Sequence, residues 1–230
     1  MRTIGMLGGM SWESTALYYR TANELAREQR GGLASADLLV RSVEFSHVRA
    51  LQLEGRWDEA ADLLLREAKA LEAAGAELVV LCTNYMHKVA PQLEAGLGVP
   101  FLHIADVVAE AAAEVGALRV GLTGAGATMR EPFYAERLAR HGLDVLVPDE
   151  ADIDTLDHAV FDELCAGVLS DDTREKLRGV LARLVEAGAQ AIVLGCTELE
   201  LLLTADDCTV PLLPSARLHV TAAVAAASRP

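Results

Sequence analysis

The sequence predicts an α/β protein built from two similar domains, each with a parallel sheet flanked by helices. Short apolar runs alternate with stretches of helical periodicity, a pattern typical of parallel strands joined by helical crossovers. Residues 74–84 align with 187–197 at an offset of 113 (187 − 74). Residues 3–8 align with 119–124 at an offset of 116 (119 − 3). This internal repeat predicts two halves related by pseudo-symmetry, with an active site between them.

The chain length of 230 residues permits one large domain or two small ones, and 52% apolar residues are enough for a substantial core. No low-complexity linker separates the halves. We place the first α/β domain at 1–100 plus 208–230 and the second at 101–207. The Ala-rich C-terminal helix is expected to pack on the first half.

Four apolar runs predict the strands of the first half: 3–7, 37–43, 78–81 and 101–104. Ser11 is a good N-cap, so a first helix is expected from there through Leu25. Residues 57–74 carry apolar positions at helical spacing and predict a crossover helix. Another helix is expected to begin at Asn84 and to be closed by Gly96.

Four further apolar runs predict the strands of the second half: 119–124, 144–147, 191–194 and 210–213. Helices are expected between and after them at 133–141, 153–166, 172–187 and 197–203. Ser215 is expected to cap a final helix. Parallel strands joined through helices in this way require crossover connections, which are right-handed.

The net charge is −14, from 20 basic and 34 acidic residues. Such a chain has no basic stripe that would release counterions, so nucleic acid and anionic membrane are excluded as partners. The four cysteines lack the Cys/His spacing of a metal site, and no metal is expected. There is no signal-peptide pattern and no run of about 18 apolar residues. We therefore expect a cytoplasmic protein with reduced thiols.

A cysteine follows one predicted strand at the end where open parallel sheets bind their ligands. This is Cys196, just before a helix that is expected to begin at Thr197. A thiol at a helix N-terminus is expected to have a lowered pKa and to act as a base or nucleophile. Thr83 aligns with Cys196 in the internal repeat, although its hydroxyl is a far weaker acid, and a helix N-cap is the alternative interpretation. Cys82 points the other way along its strand and is expected in the core.

Two neighbours have more than one interpretation. His87 lies four residues after Thr83 and either turns back toward it or is satisfied by backbone or water. Glu198 lies two residues after Cys196 and either hydrogen-bonds a thiol or ligand or places a favourable charge near a helix N-terminus. The segment 8–10, Gly-Gly-Met, could hold an anion with backbone N–H groups. It is not a G-x-G-x-x-G motif, so a dinucleotide is disfavoured.

Four motifs extend along nearly the whole chain: IGMLGGMSWEST at 4–15, LCTNYMHK at 81–88, FLHIAD at 101–106 and GCTE at 195–198. In these motifs the chain resembles the aspartate/glutamate racemase family, which works without pyridoxal phosphate. It looks most like the broad amino-acid racemase branch found in bacteria. The Glu after Cys-Thr is similar to the aspartate type rather than to glutamate racemase itself.

The resemblance implies a two-base reaction on a free amino acid. Two residues at equivalent strand ends, here Thr83 and Cys196, would remove the α-proton from one face and return a proton to the other. The resemblance also implies a homodimer, a small-molecule amino-acid substrate, and no metal or organic cofactor. By motif match, the substrate contacts are Met10, Gln52, Thr83, Asn84, Tyr85, Thr197 and Glu198.

The chain departs from the family pattern at two places. Thr83 replaces the first catalytic cysteine, and because its alkoxide is hard to form, we expect an asymmetric enzyme. Cys165-Ala166 stands before Gly167, where the family has a basic residue, which leaves the recognition of a side-chain carboxylate open. Further residues near the expected site are Arg49, Thr128 and Arg130.

Two alternatives stay open. A one-thiol member of the same superfamily, similar to arylmalonate decarboxylase, would use Cys196 to protonate a carbanion formed by loss of carboxylate. A catalytically silent amino-acid-binding protein would exchange no α-hydrogen with solvent. Activity on aspartate or on a malonate separates the two enzymes.

Overall fold

The computed structural model describes residues 1–229, and the chain divides into two compact units. Unit 1 is Met1–Ile104 with His219–Pro230, and unit 2 is Ala105–Leu218. The expected domain boundaries lay four residues earlier at the first division (104 − 100) and eleven earlier at the second (218 − 207). Both boundaries move because of strand pairing. The strand at 101–102 completes the first sheet, and the strand at 212–214 completes the second.

Unit 1 contains a parallel sheet in the order β2-β1-β3-β4. Its strands are β1 Ile4–Gly8, β2 Leu38–Ser42, β3 Leu78–Leu81 and β4 Phe101–Leu102. The inner strands β1 and β3 are fully buried. The strand β2, which the sequence suggested as buried, is partly exposed because it lies at the edge of the sheet. The strand β4 is shorter than expected, since Ile104 already begins a helix.

The helices that start in unit 1 are α1 Trp12–Arg30, α2 Phe45–Leu53, α3 Trp57–Ala73, α4 Ala90–Gly96 and α5 Ile104–Glu114. The N-cap predicted at Ser11 is confirmed, because its side chain accepts a hydrogen bond from the Ser14 N–H. The expected helix after β3 begins instead as a 3₁₀ turn, Tyr85–Val89. The helices α2 and α5 were not predicted.

Unit 2 repeats this topology, with a parallel sheet in the order β6-β5-β7-β8. Its strands are β5 Arg119–Gly124, β6 Asp144–Leu146, β7 Ala191–Gly195 and β8 Leu212–Pro214. In both sheets the first strand along the chain lies between the second and the third. The fold class predicted from the internal repeat, two similar parallel α/β halves, is therefore confirmed.

The helices that start in unit 2 are α6 Gly126–Arg130, α7 Pro132–Ala139, α8 Glu150–His158, α9 Asp171–Glu186, α10 Leu199–Leu202 and α11 Ser215–Ser228. The helix expected over 153–166 breaks after α8 into a π turn, Ala159–Glu163, and a 3₁₀ turn, Leu164–Ala166. Gly167 follows in the left-handed region and ends this irregular segment. None of the helices in residues 1–229 is long and apolar enough to cross a membrane.

Glycines at equivalent positions of β1 and β5 let a helix approach each sheet closely. A Cβ atom on Gly5 would lie 3.2 Å from the Cβ of Leu71 on α3, and 2.8 Å from the Cβ of Ala76. A Cβ atom on Gly121 would lie 3.3 Å from the Cβ of Leu184 on α9. Any larger residue would push these helices outward, so both sheets use the same packing solution.

A buried histidine connects three elements of unit 1. The Tyr18 hydroxyl of α1 lies 2.8 Å from Nδ1 of His219, and Nε2 of His219 lies 2.9 Å from the Leu102 carbonyl oxygen of β4. The carbonyl can only accept, so Nε2 carries the proton and Nδ1 accepts from the hydroxyl. Burial lowers the pKa of His219 to about 4.

This histidine is expected to make unit 1 sensitive to acid. Between about pH 6.5 and about pH 4 the imidazole of His219 binds a proton in the unfolded chain but not in the folded one. The free energy of unfolding therefore falls as the pH is lowered through this window. Wild type should lose up to about 3 kcal/mol of unfolding free energy there that His219→Gln does not lose. Urea unfolding across this pH range measures the difference, with the exposed His47→Gln as the control. Parallel pH profiles for wild type and His219→Gln would contradict it.

Candidate functional site

The candidate residues lie at the carboxyl ends of β3 and β7, which occupy equivalent positions in the two sheets. This is the edge at which open α/β sheets bind ligands. Thr83 follows β3 in unit 1, and Cys196 follows β7 in unit 2.

In unit 2, the Cys196 thiol has a carboxylate as its direct partner. Its Sγ donates a hydrogen bond to Oε2 of Glu198, at 2.8 Å. The Thr197 hydroxyl donates to the same oxygen, at 2.7 Å. Cys196 is partly buried, while Thr197 and Glu198 are buried. Three consecutive residues thus form one hydrogen-bonded cluster at the strand end.

The carboxylate changes the expected state of the thiol. Burial, followed by the negative charge of Glu198 and the hydrogen bond to it, raises the pKa of Cys196 well above its ordinary value. The expectation of a lowered pKa is therefore wrong. The helix that was expected to stabilise the thiolate, 197–203, is reduced to the four residues of α10. Cys196 consequently rests as a thiol, with a proton acceptor already hydrogen-bonded to it.

A second buried carboxyl group lies two residues beyond Glu198. Glu200 accepts a hydrogen bond from the Ala216 N–H at 3.2 Å, and Nε of Arg217 lies 3.4 Å from its Oε2. Burial raises the pKa of Glu200 to about 7. The sequence reasoning missed this residue, although a single acid within the apolar run 199–203 is a detectable signal.

Two further candidate residues lie in α6, the helix that follows β5. Thr128 is buried, and its hydroxyl has no hydrogen-bond partner among residues 1–229. Arg130 is held by two carboxylates, with its Nε 2.9 Å from Glu150 and an Nη 2.6 Å from Asp154. The guanidinium charge is therefore already compensated, which weakens its case as a ligand for a substrate carboxylate.

In unit 1, the turn after β3 is fixed by a histidine. Nδ1 of His87 donates to the Thr83 carbonyl oxygen at 2.7 Å, and its Nε2 accepts from the Ile104 N–H at 3.2 Å. Burial, and then the neighbouring histidines, lower the pKa of His87 well below its usual value. His87 does turn back toward Thr83, but to its carbonyl and not to its hydroxyl. Because both ring nitrogens are already hydrogen-bonded, His87 stabilises the turn and is not available to transfer protons.

The residue after Thr83 has an unsatisfied acceptor. Asn84 is only 6% exposed, and its Oδ1 has no hydrogen-bond partner among residues 1–229. The same residue, and not Thr83, occupies the N-cap position of the following 3₁₀ turn, without a side-chain cap bond. A buried oxygen of this kind costs free energy unless a ligand supplies a donor.

The other predicted contacts of unit 1 are distributed around this turn. Nε2 of Gln52 lies 2.9 Å from Sδ of Met86, and an Nη of Arg49 donates to Oε1 of Gln52 at 3.1 Å. The ring of Tyr85 packs edge-on against that of Trp57, with centroids 5.5 Å apart. The structure therefore brings Gln52 to the residue that follows Tyr85.

The glycine loop after β1 is largely engaged by its own unit. The Gly9 N–H donates to Oγ1 of Thr15 at 2.8 Å, so this donor is not free for the anion suggested by the sequence. Gly9 has a φ of +92°, and a Cβ there would lie 2.3 Å from the Val43 carbonyl oxygen. Met10, the predicted contact in this loop, is buried. Among residues 1–229, no three His, Cys, Asp or Glu side chains are grouped so that they could hold a metal ion.

A family model for Asp/Glu/Hydantoin racemases matches residues 7–223. The chain belongs to this family. The membership confirms the resemblance drawn from the four sequence motifs.

Several solved structures are similar to this chain over its whole length. A candidate Asp/Glu racemase from Yersinia pestis is 43% identical, with a TM-score of 0.95 and full coverage of both chains. An aspartate racemase homologue from Pyrococcus horikoshii OT3 is 33% identical, with a TM-score of 0.90 and again full coverage of both. The aspartate racemase of Picrophilus torridus is 17% identical, covers 100% of this chain and 96% of its own, and has a TM-score of 0.77, a likeness of fold alone.

The fold also occurs with a different chemistry. A variant of arylmalonate decarboxylase is 18% identical to this family member, with a TM-score of 0.58 and coverage of 98% of this chain and 93% of its own. The fold by itself therefore does not separate racemisation from decarboxylation.

The influence of Glu198 on the thiol is measurable. Glu198→Gln removes the charge that disfavours the thiolate, so alkylation of Cys196 by iodoacetamide near neutral pH should become about tenfold faster, the change for one pKa unit. The measurement uses a Cys165→Ser, Cys208→Ser background, in which buried Cys82 is the other thiol. Glu186→Gln, an exposed acid of α9, is the control. An unchanged or slower rate in Glu198→Gln would contradict this account.

Proposed function

We propose that this family member is a cofactor-independent amino-acid racemase that uses Cys196 and Thr83 as its acid–base groups. The hydrogen bond from the Cys196 thiol to Glu198 is the observation that carries the proposal. It gives the thiol a route to lose and regain a proton beside a strand end that suits a ligand. Family membership supports the reaction class.

The proposed reaction begins with transfer of the Cys196 proton to Glu198. The resulting thiolate removes the α-proton of the bound amino acid, and the carbanion receives a proton on its other face from the Thr83 side. In the reverse direction the resting thiol donates its own proton to the carbanion. Because Cys196 rests protonated, its role as a proton donor needs no prior step, whereas its role as a base does.

Each of the two orphan polar atoms suits one charged group of an amino acid. Oδ1 of Asn84 can accept only, and it suits the ammonium group of an amino acid. The Thr128 hydroxyl can donate to a carboxylate oxygen. We propose these two residues as ligand contacts, together with the motif-matched Met10, Gln52, Tyr85 and Thr197. Aspartate and glutamate are the first substrates to test, because relatives are named for them.

Three finer parts of the proposal rest on the family resemblance and on the cysteines. Independence from pyridoxal phosphate and assembly as a homodimer follow from the family resemblance. A cytoplasmic location is proposed from the four free cysteines. Light scattering of the purified protein tests the dimer, and full activity of protein free of added cofactor tests the independence.

The decarboxylase alternative has one observation in its favour. A single thiol that rests protonated suits an enzyme that only has to protonate a carbanion. The buried acceptor Asn84, which calls for a donor on the ligand, favours an amino acid over a malonate. Incubation with an arylmalonate and with aspartate separates the two reactions.

Exchange of the α-hydrogen in D₂O tests the choice of thiol. Wild type should exchange the α-hydrogen of at least one amino acid, and Cys196→Ser should lower the rate by about 10²–10⁴-fold or more, because a hydroxyl is a much weaker acid. Cys82→Ala, a fully buried core position, should keep the activity and lose about 1 kcal/mol of stability. NMR of the amino acid measures the exchange. Loss of exchange in folded Cys82→Ala would show that the wrong thiol was chosen, and no exchange in wild type would leave a binding protein.

Replacement of the weaker partner tests the asymmetry. Thr83→Cys supplies a thiol, so exchange should become more nearly equal from the two enantiomers. The ratio kcat/KM must stay equal in both directions, since the enantiomers have equal free energies, so the asymmetry of wild type must appear in kcat, in KM or in solvent exchange. Thr209→Cys, distant in sequence from both strand ends, controls for the added thiol. Equal exchange from both enantiomers in wild type would refute the idea that Thr83 is the weaker partner.

A further inference from the structure

A second cysteine of unit 2 lies beside the candidate thiol. Cys165 belongs to the 3₁₀ turn Leu164–Ala166, and this turn packs against α10, the helix that begins three residues after Cys196. The two thiols are close enough for a charge on Cys165 to disfavour the Cys196 thiolate. The reaction proposed above leaves Cys165 without a role.

The two thiols differ in access and in their ability to release a proton. Cys165 is exposed, so it meets a dissolved oxidant directly. Cys196 is only partly accessible, and its proton has an acceptor 2.8 Å away in Glu198. This division matches the two roles of a redox pair, in which an accessible thiol is oxidised first and a neighbouring thiol then attacks it.

The segment that carries Cys165 has an irregular backbone. It follows a π turn instead of a continuous helix, and backbone bonds from Gly167 to Leu164 and from Val168 to Glu163 close it. Gly167 in the left-handed region gives the chain a pivot directly after the turn. Disulfide geometry requires Cys165 to shift toward Cys196, and the irregular backbone of 159–166 and Gly167 are where that shift would be taken up.

We propose that Cys165 and Cys196 form a reversible intramolecular disulfide when the protein meets a peroxide. Cys165 attacks hydrogen peroxide, the O–O bond breaks, and a sulfenic acid and one water are formed. The Cys196 sulfur then attacks the Cys165 sulfur, Glu198 accepts the thiol proton, and the S–O bond breaks to release a second water with that proton. The balance is two thiols and one peroxide giving one disulfide and two waters.

The disulfide would withdraw Cys196 from any proton transfer. Its effect on activity rests on the proposed racemase function, whereas its formation does not. A low-molecular-weight thiol such as dithiothreitol restores both cysteines by exchange. The pair would thus suspend the proposed reaction reversibly under oxidising conditions.

Mass spectrometry of peroxide-treated protein tests the pair without any assay of activity. Wild type should become two hydrogens lighter, yield a Cys165–Cys196 linked peptide, and recover both thiols with dithiothreitol. Cys165→Ser, a surface change, should give no linked peptide and should leave Cys196 as a thiol, because Cys196 is less accessible and rests protonated. Cys208→Ser, which removes another thiol of the same unit, should behave as wild type.

Activity measurements then separate the two proposals. If the linked peptide forms and the wild-type protein has no racemase activity at any stage, the disulfide stands and the proposed function fails. If the oxidised wild type contains sulfinic acid at Cys165 without a linked peptide, the disulfide proposal is overturned. A linked peptide that joins Cys165 to Cys208, or to Cys165 of a second copy, overturns it equally.

Discussion

The close contact between a helix and a glycine of the central strand is the constraint on which both halves depend. Gly5 and Gly121 hold equivalent positions, and each leaves room for a leucine of the crossover helix where a side chain would otherwise stand. This contact sets the distance between helix and sheet. Because α3 leads into β3 and α9 leads into β7, a displaced helix would also displace the strands that Thr83 and Cys196 follow.

Both glycines lie within the segments of the internal repeat, so the repeat made the architecture predictable. The matched segments 3–8 and 119–124 are the central strands, and their glycines align. What escaped prediction has local causes. The helix α2 depends on a cap by the Glu44 side chain, which accepts from the N–H groups of Ser46 and His47 at 3.0 Å each. The strand β4 was predicted, but it ends two residues early (104 − 102) because Ile104 already begins α5.

The positions of the candidate residues at the strand ends were predictable from the sequence, but their protonation states were not. Cys196 and Thr83 lie at the strand ends indicated by the repeat. The state of the thiol depends on the direction in which the Glu198 side chain points, and sequence spacing does not fix a rotamer. The same holds for His87, whose spacing places it near Thr83 without saying which of that residue's atoms it meets.

The unsatisfied oxygen of Asn84 bears on selectivity rather than on rate. In the free protein this buried acceptor carries a desolvation penalty of about 1–3 kcal/mol. If Asn84 is the ligand contact proposed above, the ammonium group of an amino acid relieves that penalty, while a keto acid of similar shape has no donor at that position and does not. The difference corresponds to about 5- to 150-fold in affinity. The turn after β3 would thus disfavour ligands that have no hydrogen-bond donor for Asn84, because the desolvation penalty already exists in the ligand-free protein.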